Sequence, residues 1–224
     1  MDQNQQKEAI AKAALEFVLE NSNQPAALGV GTGSTADFFI AMLADHVRRF
    51  TGAVASSEAS AEGLRKIGMP LLNFSDSGLM DFYVDGADEI EPGGAMVKGG
   101  GAALTREKIV ASMARRFVCI ADESKCVDTL GGFPLPVEVI PMAEVPVSQA
   151  MQQLGGKPVT REGCITDNGN IILDVHGLEI GDALLWEKTL NMIPGVVTNG
   201  IFAQQRASLL LTMKGSEIVR VDYD

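Results

Sequence analysis

Short apolar runs that each end in a glycine-rich or charged loop, with a helical pattern following at once, recur through residues 26–125 and constrain the fold more than any other feature. Residues 26–30 read as a buried strand that passes through Gly29-Val30-Gly31-Thr32-Gly33-Ser34-Thr35 into a helix reaching about Arg49. Residues 53–56 form a short strand, 57–67 a helix, and 70–74 and 82–84 further strands. A helix from about Ala102 then precedes another buried strand over 117–121. Strands alternating with helices require a mostly parallel sheet covered on both faces, and such sheets bind ligands beyond the carboxyl ends of their strands. The expected fold is therefore α/β, with the chemistry at that edge.

The densest chemistry lies in DGADEIEPGGAMVKGGGAALTREK, residues 85–108. Phe82-Tyr83-Val84 should end a strand at Asp85, and Gly86 and Ala87 carry the turn to Asp88, so both carboxylates share one strand-end loop. Beyond the Pro92-Gly93-Gly94 turn come Lys98 and three glycines, Gly99, Gly100 and Gly101, whose backbone N–H groups are open to an anion. In the helix that follows, a period of ~100° per residue lines up Ala103, Leu104, Val110, Ala111 and Ala114 with Glu107 at the centre of the apolar stripe. Thr105, Arg106, Lys108 and Ser112 point the other way. A carboxylate on a buried stripe costs several kcal/mol unless paired, hydrogen-bonded or protonated. A general base tuned toward neutral pH needs that environment; from spacing alone, a pairing with Lys98 or Arg106 at the helix start, where acidic residues are common, is the favoured explanation.

The earlier loop, with Thr32, Gly33, Ser34 and Thr35, has the strand, glycine turn and helix start that bind phosphate through free N–H groups and the helix dipole. It lacks the GxxxxGK[ST] of a P-loop, and Ser34 stands where the third glycine of a dinucleotide fingerprint belongs. A tight turn capped by Ser34 or Thr35 is the structural alternative. Lys125, in Asp122-Glu123-Ser124-Lys125 after the 117–121 strand, is a further candidate anion contact at the same sheet edge.

With 224 residues the chain can bury a full core, and 46% hydrophobic against 21% charged residues is ordinary for a globular protein. A net charge of −11, with no basic cluster longer than Arg115-Arg116, argues against nucleic-acid binding. Three cysteines without CxxC spacing suggest neither a disulfide framework nor a zinc site and fit a reducing cytoplasm. The first twenty residues form an amphipathic pattern rather than a signal, and no run approaches the ~20 apolar residues of a membrane span. A soluble intracellular protein is expected.

Beyond Gly131-Gly132 the pattern changes. Pro134, Pro136, Pro141 and Pro146 break up residues 137–140; 147–154 read as a helix and 158–163 as a strand. Residues 164–166 and 171–175 flank Asp167-Asn168-Gly169-Asn170, a strong turn signal, and 179–193 have helical spacing before a strand from Val196. This order fits a small α+β unit over residues 132–204, inserted into a main domain of 1–131 and 205–224. Residues 209–213 and 218–221 close as a hairpin.

Several stretches together resemble the A-type ribose-5-phosphate isomerases: GVGTGST (29–35), YVDGADEI (83–90), KGGGAALTREKI (98–109), IADESK (120–125), FPLPVEVIPM (133–142), TDNGNIILDVHG (166–177) and IPGVVTNGIFA (193–203). The resemblance covers essentially the whole length. It implies a three-layer α/β domain with a ferredoxin-like lid, usually a homodimer, that interconverts ribose 5-phosphate and ribulose 5-phosphate with no cofactor and no metal. Carried over, Glu107 is the proton-transfer base, Lys98 stabilises charge on the substrate oxygens, and Asp85 and Asp88 serve ring opening and hydroxyl contacts. Around the substrate it also places Thr32, Gly33, Ser34, Thr35, Gly86, Ala87, Gly99, Gly100, Gly101 and Lys125, with Lys7 reaching toward the phosphate. Residues 21–24, from Asn21 to Gln24, lengthen the connection before the first strand, and Lys157 varies the lid. The competing classes are a non-catalytic sugar-phosphate sensor and a coenzyme A transferase with Glu107 as nucleophile. The triglycine and DGAD segments argue against both.

Overall fold

A computed structural model describes residues 2–22 and 25–223. Positions 23 and 24, in the lengthened connection noted above, lie outside the described residues. The elements run α1 (Gln3–Asn21), β1 (Ala26–Val30), α2 (Ser34–Met42) continued by a 3₁₀ segment (Leu43–Arg49), β2 (Phe50–Ala55), α3 (Glu58–Lys66), α4 (Phe74–Ser77) and β3 (Met80–Asp85). Then come β4 (Glu89–Ile90), β5 (Met96–Val97), α5 (Leu104–Ser112), β6 (Ala114–Ile120), a 3₁₀ turn (Glu123–Lys125) and β7 (Leu135–Val139). A 3₁₀ turn (Pro141–Ala143) leads into α6 (Glu144–Gln153), β8 (Lys157–Thr160), β9 (Ile171–His176), α7 (Ala183–Asn191), β10 (Val196–Asn199), β11 (Ile201–Phe202), β12 (Leu209–Lys214) and β13 (Glu217–Asp222).

The chain forms two compact units, the first of Met1–Gly86, Arg106–Lys125 and Ala207–Asp224, the second of Ala87–Thr105 and Cys126–Arg206. In the first, six strands in the order β13-β12-β6-β3-β1-β2 make a sheet that is parallel except for the β12–β13 hairpin. Side chains alternate across such a sheet. Leu28, Val30, Phe82, Val84, Val118, Ile120, Leu209 and Leu211 join Ile10, Ala14 and Val18 of α1, Phe39 of α2 and Leu64 of α3 in one core. Gly29 and Tyr83 have the opposite parity and meet Val110 of α5, so helices cover both faces. Helix α1 starts from a capping box in which Asp2 accepts from Gln5 N at 2.8 Å while the Gln5 side chain accepts from Asp2 N at 2.9 Å.

In the second unit, β7-α6-β8-β9-α7-β10 form a four-stranded antiparallel sheet, order β10-β7-β9-β8, the ferredoxin-like arrangement expected. Its core includes Leu135, Val137 and Val139 with Val147, Met151 and Leu190. A smaller antiparallel sheet, β11-β5-β4, carries the segment that leads to Lys98.

Three expectations need correction. Residues 70–74 are not a strand: Leu71 makes a single bridge to Ala53, because Pro70 has no N–H to donate and offers only its carbonyl, which accepts from Ala53 N at 2.8 Å. Residues 164–166 are likewise not a strand, since Thr166 is drawn into the turn by Gly169 N→Thr166 O at 2.8 Å and Thr166 N→Asn170 O at 2.9 Å; β8 is the partner of β9. Helix α5 begins at Leu104 and ends at Ser112, so Ala102 precedes it in a left-handed conformation (φ 60°) and Ala114 opens β6 instead of extending the helical stripe.

Candidate active site

In the first unit, the ends of β1 and β3 meet. Gly31 N donates to Val84 O at 2.8 Å, and a Cβ at Gly31 would overlap the Asp85 carboxylate, so only glycine permits the approach. Asp85 is fully buried at the last position of β3. Its Oδ1 accepts from Thr32 N at 2.9 Å and Gly86 N at 2.7 Å, and its Oδ2 accepts from the Tyr83 hydroxyl. Asp85 thereby pins the loop that holds Thr32, Gly33, Ser34 and Thr35. Thr32 Oγ1 lies 2.8 Å from Ser57 Oγ and 3.1 Å from both Ser56 Oγ and Ser60 Oγ, while Ser60 Oγ donates to Gly31 O at 2.6 Å. Gly33, not Ser34 or Thr35, occupies the cap of α2 and makes no side-chain cap bond; Gly33 and Ser34 are exposed. The first turn of α2 is therefore left facing outward, as an anion site requires.

Glu107 is only 4% exposed, on the first turns of α5 between Leu104 and Val110, which are also buried. Of its two suggested pairings, Arg106 directs Nη1 to Glu58 Oε1 at 2.9 Å. Burial, reinforced by the negative charges of Asp85 and Glu107, pushes the Tyr83 phenol well above its ordinary 10.0. It stays a neutral donor to Asp85, and Glu107 lies within its electrostatic reach. Lys125 is half-buried at the end of its 3₁₀ turn, where Asp122 Oδ1 accepts from Ser124 N at 3.0 Å and from the Ser124 hydroxyl. Gln3 and Gln6 of α1, next to Lys7, line one cleft with Asp122, Glu123 and Ser124.

In the second unit, Asp88 N donates to Val97 O at 2.9 Å and Gly100 N donates to Asp88 Oδ2 at 2.7 Å. Ala87 and Asp88 are half-buried. Lys98, 3% exposed, follows β5; its N–H bonds Gly200 O at 2.8 Å and its ammonium stands 5.5 Å from the centroid of the Phe202 ring. An ammonium buried this deeply calls for anionic or π partners, and the ring supplies one. Gly99 is buried, whereas Gly100 and Gly101 are exposed, and the turn closes with Ala102 N→Gly99 O at 2.9 Å.

Three residues outside the sequence-level candidates also enter the geometry. Tyr83 donates its hydroxyl to Asp85 Oδ2. Arg161 directs Nη1 to Gly99 O at 3.1 Å and Gly100 O at 3.0 Å. Glu138, fully buried on β7, accepts from Thr105 at the start of α5 and from Thr166, Asn168 and Asn170 of the turn before β9. A carboxylate between two valines in an apolar run was the available signal for Glu138; nothing local marks Arg161. Among the described residues, no cluster of three or more His, Cys, Asp or Glu side chains could hold a metal ion, and no helix is long and apolar enough to cross a membrane.

The family model of ribose 5-phosphate isomerase A (phosphoriboisomerase A) matches residues 52–215. Ribose 5 phosphate isomerase A from Neisseria gonorrhoeae is 42% identical, with 100% of this chain and 98% of that one covered at a TM-score of 0.94. The isomerase from Methanocaldococcus jannaschii is 37% identical, covering 96% and 97% at 0.89. A D-ribose-5-phosphate isomerase in complex with phospho-erythronic acid is 34% identical, covering 99% and 100% at 0.92.

Proposed function

The chain belongs to the ribose 5-phosphate isomerase A family, and we propose that Glu107 is the base and Lys98 the charge-stabilising group of its reaction. The enzyme is an aldose–ketose isomerase that interconverts D-ribose 5-phosphate and D-ribulose 5-phosphate. In the open-chain aldose, Glu107 takes the proton from C2, the electrons form the C1–C2 double bond, and charge develops on O1. The O2–H proton passes to O1, and Glu107 returns its proton to C1. The Lys98 ammonium stabilises the enediolate, where a cation or donor is needed near both oxygens. Asp88 serves ring opening and hydroxyl contacts together with Asp85, whose fixed position also sets the Thr32 loop. Thr32, Gly33, Ser34, Thr35, Gly86, Ala87, Gly99, Gly100, Gly101 and Lys125 surround the sugar phosphate, with the phosphate toward the α2 start and Lys125.

The observation that carries this reading is a carboxylate only 4% exposed on the helix entered directly from Lys98 and three glycines. A four-carbon phosphorylated acid such as phospho-erythronic acid, found on a relative, matches a phosphate at one end and two enediolate oxygens at the other. The same reading makes residues 132–204 a lid and the enzyme a homodimer, as the family resemblance implies, in a reducing cytoplasm that suits its three cysteines. The test is isomerisation of ribose 5-phosphate by wild type and Glu107→Gln. The variant should bind substrate while turnover falls by roughly 10²- to 10⁴-fold. A folded variant with near wild-type turnover would remove Glu107 from the chemistry.

A further inference from the structure

Arg161 follows directly on β8 and takes no part in the proton transfer or the charge stabilisation assigned to Glu107 and Lys98. Its Nε donates to Asp174 Oδ2 at 2.8 Å and its Nη2 to Asp174 Oδ1 at 2.5 Å, a two-point pairing on β9 that leaves Nη1 to reach elsewhere. Nη1 is spent on two consecutive carbonyls of the triglycine turn, Gly99 O at 3.1 Å and Gly100 O at 3.0 Å. The pairing with Asp174 raises the Arg161 guanidinium further above its already high value, so it remains a cation throughout the working range.

A glycine turn is the least self-determined backbone in a chain, and this one needs a defined shape. Gly99 has φ 108° and Ala102 φ 60°, and the second is an unfavourable conformation for a residue with a Cβ that its surroundings must impose. The Gly99–Gly100 peptide unit is held from both sides, with the Gly99 carbonyl on Arg161 at 3.1 Å and the Gly100 N–H on Asp88 Oδ2 at 2.7 Å. The turn also fixes the direction in which the chain leaves Lys98 and enters α5.

We propose that Arg161, oriented by Asp174, is a positioning residue for isomerisation: it locks the triglycine turn by its Gly99 and Gly100 carbonyls and, through the Gly100 amide, fixes the Asp88 carboxylate. This rests on the assignment of Asp88 and the glycines to substrate contact. Lysine cannot replace arginine here, because one ammonium cannot pair Asp174 at two points and still cover both carbonyls.

The test uses Arg161→Lys and Arg161→Met in the full chain, with kcat, KM, thermal midpoint and amide hydrogen exchange of peptides covering residues 98–104. Misplacement on the scale of 1 Å can cost about 10²-fold. In both variants kcat should fall roughly 10- to 100-fold with KM changed by no more than a few-fold, and exchange should accelerate in 98–104 while the β7 and β9 peptides keep their protection. Should Arg161→Met not fold, Arg161→Lys decides alone. A kcat within threefold of wild type in Arg161→Lys, unchanged exchange at 98–104, or acceleration spread through β7 and β9 would each overturn the proposal. Failure of the base assignment is read separately, from Glu107→Gln, and does not alter the exchange of this turn.

Discussion

Replacing Glu138 with glutamine removes one charge from the middle of a network and leaves its shape. Three donors converge on Oε1: Thr166 Oγ1 at 2.8 Å, Asn170 Nδ2 at 2.8 Å and Asn168 Nδ2 at 3.1 Å, while Oε2 takes the Thr105 hydroxyl. In Glu138→Gln the amide oxygen can keep the three donors, and the NH₂ faces Thr105, whose hydroxyl can rotate to accept. The bonds survive but lose charge assistance, from about 1.5–3 to about 0.5–1.5 kcal/mol each. At about 1 kcal/mol per bond the three sum to about 3 kcal/mol, and relief from burying a full charge on a side chain with no exposure returns part of that. A net loss of ~2 kcal/mol remains. For a chain of 224 residues this lowers Tm by about 4–8 °C, readable by calorimetry. A Tm within 1 °C of wild type would refute the reasoning, because it would mean that the charge adds nothing to the network. Thr105 stands two residues ahead of Glu107 on α5, so turnover should also fall in the variant.

For Lys98→Met, turnover should drop far more than substrate affinity, since charge that acts on the enediolate stabilises the transition state selectively; a folded variant that keeps most of its turnover would sink that role. The Tyr83 phenol is raised above 10.0 in the folded chain, so its contribution is fully present below about pH 10 and is lost as pH rises toward the folded value, because the unfolded chain gives up the proton first. Alkaline unfolding above pH 10 should therefore be shallower in Tyr83→Phe than in wild type, and equal slopes would contradict the assignment.

Much of the sheet edge was legible because its cues are local. The 26–30 strand coincides with β1, Asp85 ends β3 as the Phe82-Tyr83-Val84 run suggested, and Glu107 is buried with Leu104 and Val110 as helical spacing required. Where reading failed, a nonlocal partner decided. Propensity favoured a strand at 70–74, but that segment has only β2's edge to pair with and leaves it after one bridge to enter α4. Thr166 has β propensity, yet its hydroxyl serves Glu138 and its backbone closes the turn to Asn170. Arg161 falls in the 158–163 stretch read as a strand with nothing to single it out, and its partners at Gly99 and Gly100 are 62 and 61 residues away in sequence. Local sequence places Asp85 at a strand end, and its role in ring opening and hydroxyl contacts is what the family resemblance implies; that its oxygens also clamp Thr32 and Gly86 follows only once β1 and β3 are adjacent.

In the proposed mechanism Glu107 carries the migrating proton, and solvent deuterium reports on that atom directly. A proton held by a carboxylate during the enediolate's lifetime can exchange with heavy water, so wild-type enzyme should introduce deuterium at the substrate carbons as isomerisation proceeds. In Glu107→Gln that incorporation should fall together with turnover, by roughly 10²- to 10⁴-fold, while ribose 5-phosphate still binds. A folded Glu107→Gln enzyme that incorporates deuterium at nearly the wild-type rate would contradict the mechanism.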